Sequence, residues 1–302
     1  MEERRFRRIF RRVHAGHPAC LRDEWVGTTC RTADGDVVER PMVWSRRNGP
    51  WRRVPILFVG AAPGNAGGRG RGELGAHGTR IPFGGDIAGA NLDALLGSIG
   101  LDRNQVFLTA SYNALPAAGG GEPTADELRE PVGDFESSLH LLRATVIAAG
   151  APLLVALGNV GMRSIATAVR LADDERIVTQ NALVKRGATR NFVFDGALLE
   201  PDAVFRRTWA RTWSTPLPQV LWTTHPSAQN MSPFARTETL FHTRMLETRA
   251  ALQEAARSVL GIEPPQERPE PAQDGIYALS EWRERVAPHH DRLDRLWREK
   301  GV

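Results

Sequence analysis

The chain has 302 residues, 41% hydrophobic and 25% charged, with a net charge of +4, so it can hold one large α/β domain or two small ones, and its mild basicity favours polyanionic partners. Its two cysteines, Cys20 and Cys30, exclude a four-thiolate zinc or iron–sulfur site within one chain and suit a reduced cytosolic protein. No apolar run reaches the roughly 18 residues of a membrane span, and the opening MEERRFRRIFRR has no apolar signal core, so the expected compartment is the bacterial cytoplasm.

Residues 4–13 place Phe6, Ile9, Phe10 and Val13 at helical spacing among arginines. The arginine face is either solvated or a nucleic-acid contact, and residues 1–50 read as a basic helical extension. Residues 54–59 (VPILFV) predict a buried strand that ends in the turn Gly60-Ala61-Ala62-Pro63-Gly64. A glycine-rich loop follows at 65–78. Residues 87–99 predict a helix with Leu92, Leu95, Leu96 and Ile99 on one face, and 105–110 (QVFLTA) a second strand. Thr124 and Glu127 have the spacing of a capping box, opening a helix over 125–149 that Pro131 interrupts. Residues 152–157 (PLLVAL) predict a third buried strand and 158–168 a helix. Residues 171–218 have weak periodicity and scattered tryptophans, and read as an insertion. Residues 219–223 (QVLWT) predict a fourth strand, and 237–260 a long helix. The domain therefore spans 51–261. Residues 262–275 are a linker rich in proline and glutamate, and 276–302 a charged helix. Strands alternating with helices predict a three-layer α/β/α fold around a mostly parallel four-stranded sheet.

Four short segments follow the predicted strands: GAAPG at 60–64, IPFGGDIAG at 81–89, YNALP at 112–116 and HPSAQN at 225–230. Strand ends of an open α/β sheet converge on one crevice, where ligands bind. The segments bring a carboxylate (Asp86), an aromatic (Phe83), an amide (Asn113) and a histidine (His225). Taken singly, each has an ordinary reading. GAAPG is a turn, Phe83 a core residue, and Asp86 a carboxylate at a helix start. Asn113 is a turn residue and His225 a satisfied core histidine. Order and placement together change that balance.

In this order the motifs resemble the uracil-DNA glycosylase superfamily, and most nearly its family B, or family five, branch. That branch has a G-x-A-P-G/A turn, a P-F-x-G-D-x-x-G segment, an asparagine after the second strand, and a late H-P-S-x-Q-N. The chain has GAAPG, PFGGDIAG, Asn113 and HPSAQN, with PTADELRE after the asparagine. The resemblance covers about 54–252, and HPSAQN with PFGGD is its most specific part.

The resemblance implies a monofunctional DNA glycosylase that hydrolyses the N-glycosidic bond of uracil or another altered base flipped out of DNA. Asp86, His225 and Asn113 would be catalytic. The base would be bound by Gly60, Ala61, Ala62, Pro63, Gly64, Phe83, Asn113 and His225. DNA would be met by Arg69, Arg71, Ser227, Gln229 and Asn230, although solvated loop arginines and a polar turn are the ordinary readings of these five. DNA, single- or double-stranded, is the expected partner of a monomer with no membrane contact. No metal or cofactor is expected: family B holds a four-cysteine iron–sulfur cluster, for which this chain lacks the thiolates. The 65–78 loop is longer than the family pattern, and 171–218 is an addition. Two further readings keep the fold. One is a glycosylase for a bulky modified base in phage DNA, acting in anti-phage defence. The other is a catalytically idle DNA-damage-binding protein.

Overall fold

The computed structural model describes residues 4–5, 8–9, 28–31, 37–40, 53–62, 87–103, 105–112, 122–226 and 238–265. In the N-terminal extension, residues 4–5 and 8–9 are helical. They are accompanied by two strands, β1 (Thr28–Arg31) and β2 (Val37–Arg40), paired antiparallel as a sheet of their own.

The main sheet begins with β3 (Ile56–Gly60), followed by α1 (Ile87–Gly97) and β4 (Phe107–Ala110). Next come α2 (Ala125–Arg129), α3 (Ser138–Ala149), β5 (Leu153–Leu157) and α4 (Gly158–Ala168). Then follow α5 (Gln180–Lys185), β6 (Val193–Asp195), a short 3-10 turn (Gly196–Leu199), α6 (Ala203–Trp213), β7 (Gln219–Thr223) and α7 (Glu238–Leu260). The strand order is β4-β3-β5-β7-β6. Pairings from β4 to β7 are parallel, and β6 runs antiparallel to β7. All residues of β3 and β5 are buried, as expected of central parallel strands covered by helices on both faces. The architecture is the predicted three-layer α/β/α.

The sheet has five strands, not the expected four. The added strand, β6, lies in the segment read as an unassigned insertion. Three residues, Val193, Phe194 and Asp195, are too few to show a period of two. Their register against β7 (Val193 opposite Leu221, Asp195 opposite Gln219) supplies the order. The rest of the segment packs on the core through Phe205 and Trp209, each 1% exposed, with ring centroids 6.1 Å apart. Burying a ring such as Phe205 contributes about 2 kcal/mol.

Local chemistry sets the helix boundaries. The Thr124 hydroxyl accepts from the Glu127 amide at 3.2 Å, and the Glu127 carboxylate accepts from the Thr124 amide at 2.7 Å. This is the expected capping box. The helix stops at Arg129, and α3 starts afresh with Ser137 as its cap. Pro131 falls between them, since it lacks a donor and disfavours a helical predecessor.

One buried ion pair clamps three of these elements. Asp202 is 1% exposed. It receives both guanidinium nitrogens of Arg143 on α3, with Nη2 at 2.7 Å from Oδ1. It also accepts from the amides of Ala172 and Phe205 at 3.0 and 2.7 Å, capping α6. Burial pushes its pKa up, but the Arg143 hydrogen bonds and the two amides outweigh that and hold it at about 2. Arg143 also donates to the Ala168 carbonyl at the end of α4, at 3.2 Å.

Candidate active site

Parallel pairing brings the ends of four strands to one edge. Gly60 lies opposite Ala110, Val59 opposite Ala156, and Leu157 opposite Thr223. The chain therefore leaves the sheet side by side at residues 61–62, 111–112, 158–159 and 224–225. β3 leads to β4 on one side, while β5 leads to β7 on the other. Such a reversal between adjacent strands opens a crevice at their carboxyl ends.

The first wall is the β3 turn. The Ser111 amide and hydroxyl both donate to the Gly60 carbonyl, at 2.9 and 2.8 Å. The Tyr112 amide donates to the Ala61 carbonyl at 3.0 Å. The two exits thus stay joined beyond the strands as far as Ala62 and Tyr112, the residues that precede Pro63 and Asn113 in the chain. Tyr112 donates its hydroxyl to Glu130 at 2.8 Å. Ala61 and Ala62 are half-buried and offer only methyl groups.

His225 stands at the opposite wall, half-buried between the buried residues Thr224 and Pro226. Two contacts outside the matched motifs constrain its backbone. The first is Gly158, in the left-handed region with φ +82°, where an added Cβ would lie 3.2 Å from the His225 Cβ. Only glycine takes that conformation without strain and leaves that space. The second is Asn91 on α1, fully buried, whose side-chain amide donates to the Pro226 carbonyl at 2.9 Å. α1 is itself pinned, because the buried Arg103 pairs with Asp93 and donates to the Gly89 carbonyl at 3.1 Å. The helix that starts one residue after Asp86 is therefore bonded directly to the loop that carries His225. Gly161 lets α4 approach the β3 end: an added Cβ there would lie 2.3 Å from the Val59 carbonyl oxygen.

Of the residues singled out in the sequence, Gly60, Ala61, Ala62 and His225 are brought to this one edge. Pro63, Gly64, Phe83, Asp86, Asn113, Ser227, Gln229, Asn230, Arg69 and Arg71 lie outside the described residues. So do residues 276–302, read as a charged helix. Among the described residues no group of three His, Cys, Asp or Glu side chains gathers as a metal-ligand set. No described helix is long and apolar enough to cross a membrane.

Sequence reasoning missed Asn91 and Gly158. Each had a signal. Asn91 is a lone amide among apolar neighbours in IAGANLDALLG. Gly158 sits where a buried strand passes directly into a helix.

Comparison with known protein families gives a match over the main sheet. The family model described as the Uracil DNA glycosylase superfamily matches residues 47–248, a stretch that contains the main sheet and every motif above. No curated protein matches the chain.

Proposed function

From the premise that the chain belongs to the uracil DNA glycosylase superfamily, we propose that it is a monofunctional DNA N-glycosylase of the family B type, removing uracil or another altered base and leaving an abasic site. One observation carries the reading: the superfamily match coincides with a crevice edge at which His225 lies close to Gly158, across from the β3 turn.

A glycosidic bond to a pyrimidine breaks with positive charge developing on the sugar and negative charge on the departing base. The base must first leave the stack and enter a pocket. Phe83 stacks on the flipped ring, and the Asn113 amide offers donor and acceptor to its edge. Asp86 orients a water toward the sugar's anomeric carbon and offsets the cationic charge there. The carbon–nitrogen bond breaks, its electron pair stays with the base, and His225 donates a hydrogen bond to the base oxygen that gains charge. Water supplies the hydroxyl that the sugar keeps, and the proton it gives up ends on the departing base.

A lyase step needs an amine to form an imine. Lysine occurs only at Lys185 and Lys300, neither in a matched motif, which supports simple hydrolysis. Ala61 and Ala62 present no bulky side chain, which supports a pocket open to several bases.

The test incubates the protein with duplex and single-stranded oligonucleotides carrying uracil, other deaminated bases or bulky modified pyrimidines. Released bases are identified by mass, and the DNA is run on denaturing gels with and without alkali. A free base with alkali-dependent strand breaks is expected. Binding without release from any substrate would leave the idle DNA-binding reading. Breaks without alkali, trapped by borohydride, would overturn the monofunctional assignment.

A further inference from the structure

The same sheet edge carries a second feature, on β6 and α7. β6 is antiparallel, so the residues just before it lie at the carboxyl end of β7. The Asn191 amide donates to the Trp222 carbonyl at 2.7 Å and extends that pairing. Asn191 is left-handed, with φ 62°. Its side-chain oxygen accepts from the Thr223 hydroxyl at 3.0 Å. Its neighbours Arg190 and Phe192 are therefore held in place. Phe192 is 67% exposed, although it sits on an ordered edge two residues before the buried Phe194.

Arg190 lies over the Trp222 ring, 5.1 Å from its centroid. It donates from Nη2 to the Asn159 side chain at 2.6 Å. Asn159 is the second residue of α4, the end of a helix where the macrodipole disfavours a cation. A second cation lies near enough to repel it. Arg244 is half-buried on α7, one turn before Thr248, whose hydroxyl bonds that of Thr223 at 3.2 Å. Loss of hydration first, and repulsion from Arg244 second, lower the pKa of Arg190. Among the described residues neither arginine has a carboxylate partner. Glu247, the nearest acid in the chain, accepts instead from the Asn191 amide at 3.4 Å. Two arginines that repel each other, one of them solvent-exposed at a positive helix end, suit an anion that both can reach.

We infer that Arg190, Arg244 and Phe192 form a DNA-contact rim beside the crevice, in which the two guanidiniums hold one backbone phosphate and Phe192 stacks on an adjacent base. The inference rests on the proposed glycosylase reading. Trp222, under Arg190, is three residues before His225 in the chain, so the phosphate the rim holds belongs to a nucleotide near the one that is flipped. Arginine matches phosphate geometry in a fork, and an exposed ring is a platform for any base.

The test measures affinity by fluorescence anisotropy on labelled single-stranded and duplex oligonucleotides without altered bases, over a series of salt concentrations. It uses wild type, the double variant Arg190→Gln/Arg244→Gln, Phe192→Ser and Arg190→Lys. In the double variant the slope of log K against log salt should fall by about 1. Phe192→Ser should weaken binding about tenfold with the slope unchanged, and Arg190→Lys should keep the slope. Melting temperatures near wild type separate these effects from unfolding. Wild-type affinity and slope in the double variant, from a protein that otherwise binds DNA and releases base, would overturn the rim alone. Failure of the wild type to bind DNA would overturn the glycosylase reading as well. Arginine-dependent binding of inorganic phosphate with DNA affinity untouched would also overturn the rim.

Discussion

At the carboxyl end of α4, Arg143 meets the Ala168 carbonyl and the buried carboxylate of Asp202. At its amino end, Arg190 meets the neutral Asn159 side chain and is repelled by Arg244. The first arrangement is closed: cation, anion and helix dipole all agree, and every Asp202 hydrogen bond is made within the protein. In the second the dipole and the neighbouring charge both oppose the cation, and no described carboxylate compensates. One helix thus separates an end built for stability from an end left open for a ligand. Residues near each end should answer differently to substitution.

The largest effect belongs to the closed end. Asp202→Asn leaves Arg143 buried without a counter-charge and should cost about 3 kcal/mol or more, lowering the melting temperature by about 10 °C. Base release per folded molecule should not change. The pH dependence has a definite sign. The folded-state pKa, about 2, is below the ordinary 3.8. The stabilisation is therefore full above about pH 4 and is lost as pH falls toward 2. The stability gap between wild type and Asp202→Asn, followed by urea titration, should shrink over that window. A gap that stays constant would mean that the carboxylate charge is not what the variant removes.

Among the residues of the proposed mechanism, Asp86→Asn should reduce single-turnover base release by about 10²-fold or more, with DNA affinity and melting temperature close to wild type. Release at the wild-type rate would remove Asp86 from the mechanism. Asn91→Leu keeps the side chain's size but deprives the Pro226 carbonyl of its donor. It should slow release about tenfold through a shifted His225, and affinity for an uncleaved duplex should hold. If the rate per folded molecule stays at wild type while only stability falls, Asn91 is structural and does not position the histidine. The smallest effect is expected from Gly158→Ala. The strained φ costs about 1 kcal/mol, and the added methyl displaces His225 enough for a few-fold rate loss. A rate unaffected by this substitution would show that the 3.2 Å approach has slack.

The central strands were legible because burial on both faces writes itself as an unbroken apolar run, as in ILFVG and LLVAL. The capping box at Thr124 and the break at Pro131 were equally plain, since each depends on chemistry within a few residues. The motifs GAAPG, PFGGDIAG and HPSAQN carried the superfamily resemblance, and the position of His225 at a strand end followed from the run that precedes it. All of these signals are local, and they were enough for the fold class and for placing Gly60, Ala61, Ala62 and His225 at one edge of the sheet.

Interactions between distant residues were decided only in three dimensions. The Asn91 bond to Pro226 joins positions 135 residues apart, and the Arg143 pair with Asp202 joins positions 59 apart; neither partner announces the other in the sequence. β6 gains its identity from β7 and not from its own three residues. Arg190 looks like any loop arginine until the fold sets it at the amino end of α4, within electrostatic reach of Arg244. Whether a charge is neutralised depends on what packs beside it. Packing is a property of the assembled layers, and a local pattern of residue types does not contain it.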